Sequence, residues 1–195
     1  MEGLMMDFPL TLTHLMRRAE SFFGDGEIVT RLPDKSFHRT NHRDTLRRAK
    51  QLSVALQKIG LERGDRVATL CWNHHQHHEA YFGVPCGGFV LHTLNLRLHP
   101  NDLNYISTHA SDKAVIVDRA LLPLLEQFQE GTPIEHVWVV EDAYEELLRR
   151  PTRTSGRTRS SPRTRLRRCV TRAARPAGRA AWSTRTAPPS CTRSG

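Results

Sequence analysis

The densest group of side chains able to do chemistry is the run Asn-His-His-Gln-His-His-Glu at residues 73–79. On a helix, His74 and His78 are four residues apart, as are His75 and Glu79, so each pair shares one face. Imidazole and carboxylate groups are ligands of transition metals, so either pair could contribute to a metal site. No third ligand follows at motif spacing, and a solvated helix N-terminus accounts for the same residues. We therefore expect no metal site and keep His74 with His78 as the alternative.

Other polar residues lie beside apolar runs that have the character of buried strands. Asn73 follows such a run, and ligands of α/β proteins bind beyond the carboxyl ends of parallel strands, which makes Asn73 a candidate binding residue. A structural cap is the interpretation that we favour for Asn73. His92 lies within an apolar run and is expected to be a hydrogen-bonded core residue. Cys71 and Cys86 have apolar neighbours, which make a thiol inert, and the four cysteines show no metal-binding spacing.

The elements that must position these residues alternate between helix and strand. Apolar residues at helical spacing predict helices, and short apolar runs between them predict strands. The predicted helices span residues 11–23, 44–59, 75–84, 100–109, 121–129 and 142–148. The predicted strands span residues 27–30, 36–39, 66–72, 89–94, 113–117 and 136–140, the first two forming a hairpin. This alternation predicts an α/β fold with a three-layer sheet.

The basic charge of the chain is confined to its last part. Of the 29 basic residues, 12 lie in residues 151–195, whereas all 20 acidic residues lie in residues 1–150. The net charge is therefore +12 after residue 150 and −3 before it. An arginine-rich segment could bind nucleic acid through phosphate neutralisation, but it has one aromatic residue, Trp182, and no groove-reading motif. We expect no specific nucleic-acid partner and keep a basic-tailed nucleic-acid-binding protein as the alternative function.

The same boundary separates two kinds of sequence. Residues 149–195 are rich in Arg, Thr, Ser, Pro and Ala and show no periodicity. Ordering 45 residues costs at least ~45 kcal/mol of backbone entropy. Burying Leu166, Val170 and Trp182 would return at most ~9 kcal/mol. We therefore predict a folded part over residues 1–148 and a disordered tail over residues 149–195.

No segment has the character of a membrane span or a signal peptide. The apolar runs are shorter than the ~18–20 residues that a membrane-spanning helix needs. The first residues are acidic where a signal peptide is basic, and they lack a long apolar core. We expect a cytoplasmic protein that makes at most peripheral contact with membranes.

The folded part resembles the N-terminal region of the adenylate-forming acyl-CoA synthetases, especially the medium- and long-chain fatty-acid CoA ligases. The resemblance covers most of residues 7–148. Its most specific parts are the turn into a strand GDRVA at 64–68, Asn73, and TLNLRL at 93–98.

The resemblance implies a reaction in which a fatty carboxylate attacks the α-phosphate of ATP and the CoA thiol then displaces AMP. It therefore implies fatty acid, ATP, Mg²⁺ and CoA as substrates and cofactors. Arg97 is a candidate for pairing with a phosphate of CoA or ATP, although we favour an ion pair with a carboxylate of its own fold. Such enzymes hold the nucleotide with a glycine- and hydroxyl-rich loop that reads like YTSGTTGxPKG. The chain as written has no such loop, so we expect it to bind none of these cofactors productively and to be inactive alone.

A shift of reading frame accounts for the missing loop. If each codon after about residue 148 is read one base earlier, the stated residues restrict every new codon to a few amino acids, which are at most four except where the stated residue is Arg, Leu or Ser. Residues 170–178 then permit CYTSGTTGR, and residues 179–186 permit PRGVVYSH. The only departure from the family pattern is the loop lysine, because position 180 permits arginine but not lysine. We infer a frameshift near the codons for residues 147–150.

Overall fold

The fold consists of a small hairpin and a parallel sheet that is covered by helices on both faces. The computed structural model describes residues 10–149, so the tail that we predicted to be disordered lies outside the described residues, apart from Arg149. The helices are α1 Leu12–Phe23, α2 His42–Lys58, α3 His75–Cys86, α4 Pro100–Ala110, α5 Leu122–Phe128 and α6 Ala143–Arg149. The strands are β1 Glu27–Arg31, β2 Phe37–Asn41, β3 Arg66–Leu70, β4 Val90–Thr93, β5 Asp112–Val117 and β6 His136–Val139.

The predicted elements are all present, with small shifts of their ends. The largest shift at a helix start is in α2, which begins at His42 although we predicted residue 44. The cap explains this start, because the Asn41 side chain accepts a hydrogen bond from the Asp44 amide at 2.8 Å. β3 ends at Leu70, two residues before the predicted end.

The parallel sheet has the strand order β4-β3-β5-β6. Along the chain, β4 follows β3 and lies beside it in the sheet. The chain then crosses back, so that β5 lies on the other side of β3. The direction of the connections therefore reverses at β3 and β5, and this reversal is the topological switch point of the sheet.

The core is split into two clusters, one on each face of the sheet. Val67, Ala114 and Ile116 face the cluster that α2, α3 and α6 complete. Leu70 and Val115 face the other cluster, which α4 and α5 cover. Both faces of the sheet are buried, so residues 114–117 of β5 and Val67, Ala68 and Leu70 of β3 are all apolar, which is why the sequence showed short apolar runs. The predicted three-layer α/β fold is confirmed.

The α2 and α3 helices pack closely because of one glycine. A Cβ atom on Gly83 would lie 2.7 Å from the backbone oxygen of Ala49. A larger residue would have to push the two helices apart, because the atom it meets belongs to the backbone.

A buried carboxylate joins the three helices of this layer. Glu79 on α3 is 1% exposed and accepts a hydrogen bond from Arg48 Nε at 2.6 Å. The Tyr144 hydroxyl of α6 donates to the other oxygen of Glu79 at 2.9 Å. The two terminal nitrogens of Arg48 donate to both oxygens of Glu145. We call Arg48, Glu79, Tyr144 and Glu145 the carboxylate network.

Removal of the Arg48 guanidinium should destabilise the fold, because it leaves the Glu79 charge buried without its cation. We expect Arg48→Met to lower the free energy of unfolding by about 3 kcal/mol in urea titrations. Arg47→Met is the matched control, because Arg47 pairs with Asp44 on the exposed side of the same helix. The control should change stability by less than about 0.5 kcal/mol. Equal effects of the two substitutions would contradict the role given to the network.

Candidate functional site

The candidate site lies where the carboxyl ends of β3 and β5 meet, at the switch point of the sheet. Trp72, Asn73 and His74 follow β3, and Asp118 follows β5. Ligands of open α/β sheets bind in this position, because the connections on either side leave in opposite directions and open a crevice. We call this region the switch-point edge.

Asp118 is the centre of the switch-point edge. One carboxylate oxygen accepts a hydrogen bond from the Trp72 amide at 2.7 Å, and the other accepts one from His74 Nε2 at 2.8 Å. Burial alone would raise the pKa of Asp118, but the bonds from His74 and Trp72 outweigh it and hold the pKa below its ordinary value. The charged carboxylate therefore links the end of β5 to the segment after β3 through two hydrogen bonds.

The protonation of His74 follows from its two hydrogen bonds. Its Nδ1 accepts from the His77 amide at 3.2 Å, so the side chain caps the start of α3. A neutral imidazole carries one proton, which is then on Nε2 and faces Asp118. We expected Asn73 to be the cap if it had a structural role. The structure gives that role to His74 and leaves Asn73 exposed.

Cys71 completes the group at this edge. Its Sγ donates to the Ile116 carbonyl at 3.3 Å, and burial together with the charge of Asp118 raises the pKa of the thiol. One ligand atom each from Cys71, His74 and Asp118 lies within 4.8 Å of the other two. The expectation of a buried, protonated thiol is confirmed for Cys71.

The remaining histidines of the run are more buried than we expected. His77 is buried and uses both ring nitrogens, one donating to the Trp72 carbonyl and one accepting from the Thr69 hydroxyl, each at 3.1 Å. His75 is 8% exposed and stacks on His38 of the hairpin, with ring centroids 4.0 Å apart. The solvated helix start that we predicted is wrong, because the hairpin and the sheet cover this turn.

The two histidines of the alternative metal site have separate neighbours. His74 bonds to Asp118, as described, whereas the His78 ring packs edge-on against Phe82 with centroids 5.3 Å apart. The histidine in the second apolar run, His92, is buried and donates from Nδ1 to Asp112 at 2.8 Å, as expected for a core residue.

Asn73 and Arg97 lie at the carboxyl edge of the same sheet. Asn73 lines an open groove of about 280 Å³ between β1 and the start of α3. Arg97 follows β4, is exposed, and its amide donates to Asn95 Oδ1 at 3.0 Å. Within residues 10–149 its guanidinium has no carboxylate partner, so the ion pair that we favoured from the sequence is not formed there.

Sequence reasoning missed Asp118 as a candidate residue. The signal was present, because Asp118 is the first polar residue after the apolar run of β5 and so had the position that made Asn73 a candidate. What the sequence did not show is that β3 and β5 are neighbours in the sheet.

The architecture is that of the N-terminal domains of acyl-CoA ligases. An anthranilate CoA ligase in complex with anthranoyl-AMP superposes with a TM-score of 0.64 and 22% identity over 73% of this chain and 28% of that chain. A fatty acyl-CoA synthetase from Mycobacterium tuberculosis superposes with a TM-score of 0.60 and 20% identity over 71% of this chain and 28% of that chain.

The chain belongs to the AMP-binding enzyme family, whose profile matches residues 17–180. It is 43% identical over 152 residues to the long-chain-fatty-acid–CoA ligase of Thermus thermophilus, covering 74% of this chain and 28% of that relative. It is 35% identical over 133 residues to the medium-chain-fatty-acid–CoA ligase of Ectopseudomonas oleovorans, covering 68% of this chain and 24% of that relative. The chain thus spans about a quarter of the length of these relatives. The comparisons give no support to the nucleic-acid-binding alternative.

A helix that spans a membrane must be both long and apolar. None of the helices within residues 10–149 has both the length and the apolar character that a span requires.

Protonation of the buried histidines should destabilise the fold in mild acid. Burial lowers the pKa of His75 to about 4, and the neighbouring His38 and Arg48 add to this effect. The unfolded chain binds a proton near pH 6.5 and the folded chain only near pH 4, so stability is complete above pH 6.5 and falls between these values. From pH 7 to pH 5, the wild-type chain should lose about 2 kcal/mol more than His75→Gln in urea titrations.

The exposed His109 provides the control for this measurement. His109→Gln should keep the pH dependence of the wild-type chain, because His109 is exposed on α4, where its ring stacks on Tyr105. If His75→Gln and His109→Gln give the same pH profile as wild type, burial does not set the protonation of His75.

Proposed function

We propose that this chain is the N-terminal part of the large domain of a cytoplasmic fatty acyl-CoA synthetase. The intact enzyme would activate a fatty acid with ATP and Mg²⁺ and then transfer the acyl group to CoA. The observation that supports this most is the family match, together with 43% identity to a long-chain-fatty-acid–CoA ligase over most of the described residues. The medium-chain relative supports the same reaction class with a different chain length.

The described residues form the edge of the sheet, but they include no loop that could hold the phosphates of the nucleotide. The turns after β3, β4 and β5 begin with Cys71, Leu94 and Asp118 and contain no glycine-rich phosphate loop. ATP needs such a loop, because closely spaced backbone N–H groups must hold its phosphates. The residues present therefore do not fit the nucleotide, and we propose no catalytic step for this chain alone.

The missing loop is encoded, in our proposal, but out of frame. The tail residues 170–186 permit CYTSGTTGRPRGVVYSH when each codon is read one base earlier. An unbroken agreement of this length with a phosphate-binding loop favours a single frameshift near residue 148 over a selected basic segment. The high content of Arg, Thr, Pro and Ala in the tail is the composition expected when a GC-rich gene is read out of frame.

Restoring the frame should convert an inactive chain into an adenylating enzyme. We expect the 195-residue chain to give no fatty-acid-dependent exchange of pyrophosphate into ATP, because it lacks the phosphate-binding loop. The product of the gene with one base restored near codon 148 should give clear exchange with a medium- or long-chain fatty acid. Exchange by the 195-residue chain itself would contradict the proposal, and so would an inactive but folded restored enzyme.

Arg97 should contribute to binding a phosphate of CoA or ATP in the restored enzyme. Its guanidinium is exposed at the carboxyl edge and has no carboxylate partner within the described residues, which supports this role over a structural one. We expect Arg97→Ala to raise the KM for one of these substrates about tenfold with little change in kcat. Arg63→Ala is the control, because Arg63 lies before β3, at the opposite edge of the sheet. A loss of stability without a change in KM would favour the structural interpretation.

A further inference from the structure

The group at the centre of the switch-point edge has the composition of a metal site. Cys71, His74 and Asp118 offer a thiol, an imidazole and a carboxylate, with one atom of each within 4.8 Å of the other two. We propose that these three residues bind one thiolate-preferring divalent cation of the Zn²⁺ class. This inference is independent of the proposed enzymatic function, because it concerns three side chains within the described fold.

The present geometry is near that of a four-coordinate site. Zn²⁺ lies about 2.0–2.3 Å from nitrogen, oxygen and sulfur ligands, so ligand atoms of a tetrahedral site are separated by about 3.3–3.8 Å. His74 Nε2 and Asp118 Oδ1 are 2.8 Å apart, so this pair opens slightly. The ligand atoms of the three residues lie within 4.8 Å of one another, so the sulfur has to move closer by at most about 1.5 Å. Side-chain rotations supply such a movement without displacing either strand.

The hydrogen bonds, exposure and charges around the three ligands favour the binding of a cation at this position. The Trp72 amide holds Asp118 Oδ2 at 2.7 Å, whereas Oδ1 is bonded to His74 Nε2, so a metal would take the place of the proton between these two ligand atoms. Outer hydrogen bonds of this kind orient the carboxylate ligands of metal sites. Cys71 and Asp118 are buried, whereas the His74 side chain is 13% exposed, so water can complete the coordination from that side. A thiolate and a carboxylate balance the charge of a divalent ion.

The exchange of protons for the metal is balanced. Binding breaks the Cys71 S–H bond, and that proton leaves to solvent as the thiolate bonds to the metal. The metal replaces the Nε2 proton of His74, and the ring takes up a proton at Nδ1 and remains neutral. One proton, equal in number to that of the Cys71 thiol, is therefore released in total. The weak 3.2 Å bond from the His77 amide is then lost, and that amide becomes one of the free N–H groups of the helix start.

Cobalt(II) is the probe that tests this site, because a cobalt–thiolate bond gives a charge-transfer band in the near ultraviolet. The full chain carrying Cys169→Ser and Cys191→Ser leaves Cys71 and Cys86 as its thiols. We expect one equivalent of Co²⁺ to produce the thiolate band with the strong visible bands of a four-coordinate ion, and Zn²⁺ to displace it. A folded protein that shows no thiolate band would overturn the proposal without any further substitution.

Matched variants assign the ligands. Cys71→Ser should abolish the thiolate band, whereas Cys86→Ser should keep it. His74→Asn should weaken Co²⁺ binding at least about tenfold, and His78→Asn, four residues later on α3, should leave it unchanged. A band that survives Cys71→Ser, or equal effects at His74 and His78, would contradict the assignment. Far-ultraviolet circular dichroism of each variant shows whether a lost band reflects a lost ligand or a lost fold.

Discussion

The positions of Asn73 and His74 depend on how the ends of β3 and β5 are held together. Asp118 accepts the Trp72 amide and the His74 imidazole at once, so a single buried carboxylate fixes the exit of one strand against the exit of its neighbour. These two strands are also where the connections of the sheet reverse. Because His74 in turn caps α3, the same contact sets where the helix begins and how the histidine run is presented.

The layer behind the sheet is organised by a second buried charge. Glu79 is the only carboxylate of the run at residues 73–79, and it points away from solvent toward Arg48 and Tyr144. Two turns of one helix thus serve different purposes, since its first turn faces the switch-point edge and its second anchors α2 and α6. A buried pair of this kind gives little net stability compared with an apolar core, but it specifies how the three helices are arranged.

Local sequence patterns were sufficient for the elements and their order, because apolar spacing and turn residues depend on near neighbours. They also predicted the burial of Cys71 and the bonded His92 from their apolar surroundings. They failed where burial depends on residues far along the chain. His75 is covered by His38 of the hairpin, and Glu79 is paired with Arg48 and Tyr144, so no local pattern distinguishes these residues from a solvated helix start. The candidate role of Asp118 required the strand order.

We propose that the sequence follows the family pattern through α6 and that the arginine-rich segment after α6 is a phosphate-binding loop read in the wrong frame. Determining the nucleotide sequence of the gene across codons 145–191 tests this directly. We predict that the bases, when each codon is read one base earlier, encode tyrosine, threonine, serine and glycine in the order of a phosphate-binding loop. Bases that encode any other peptide in that frame would contradict it.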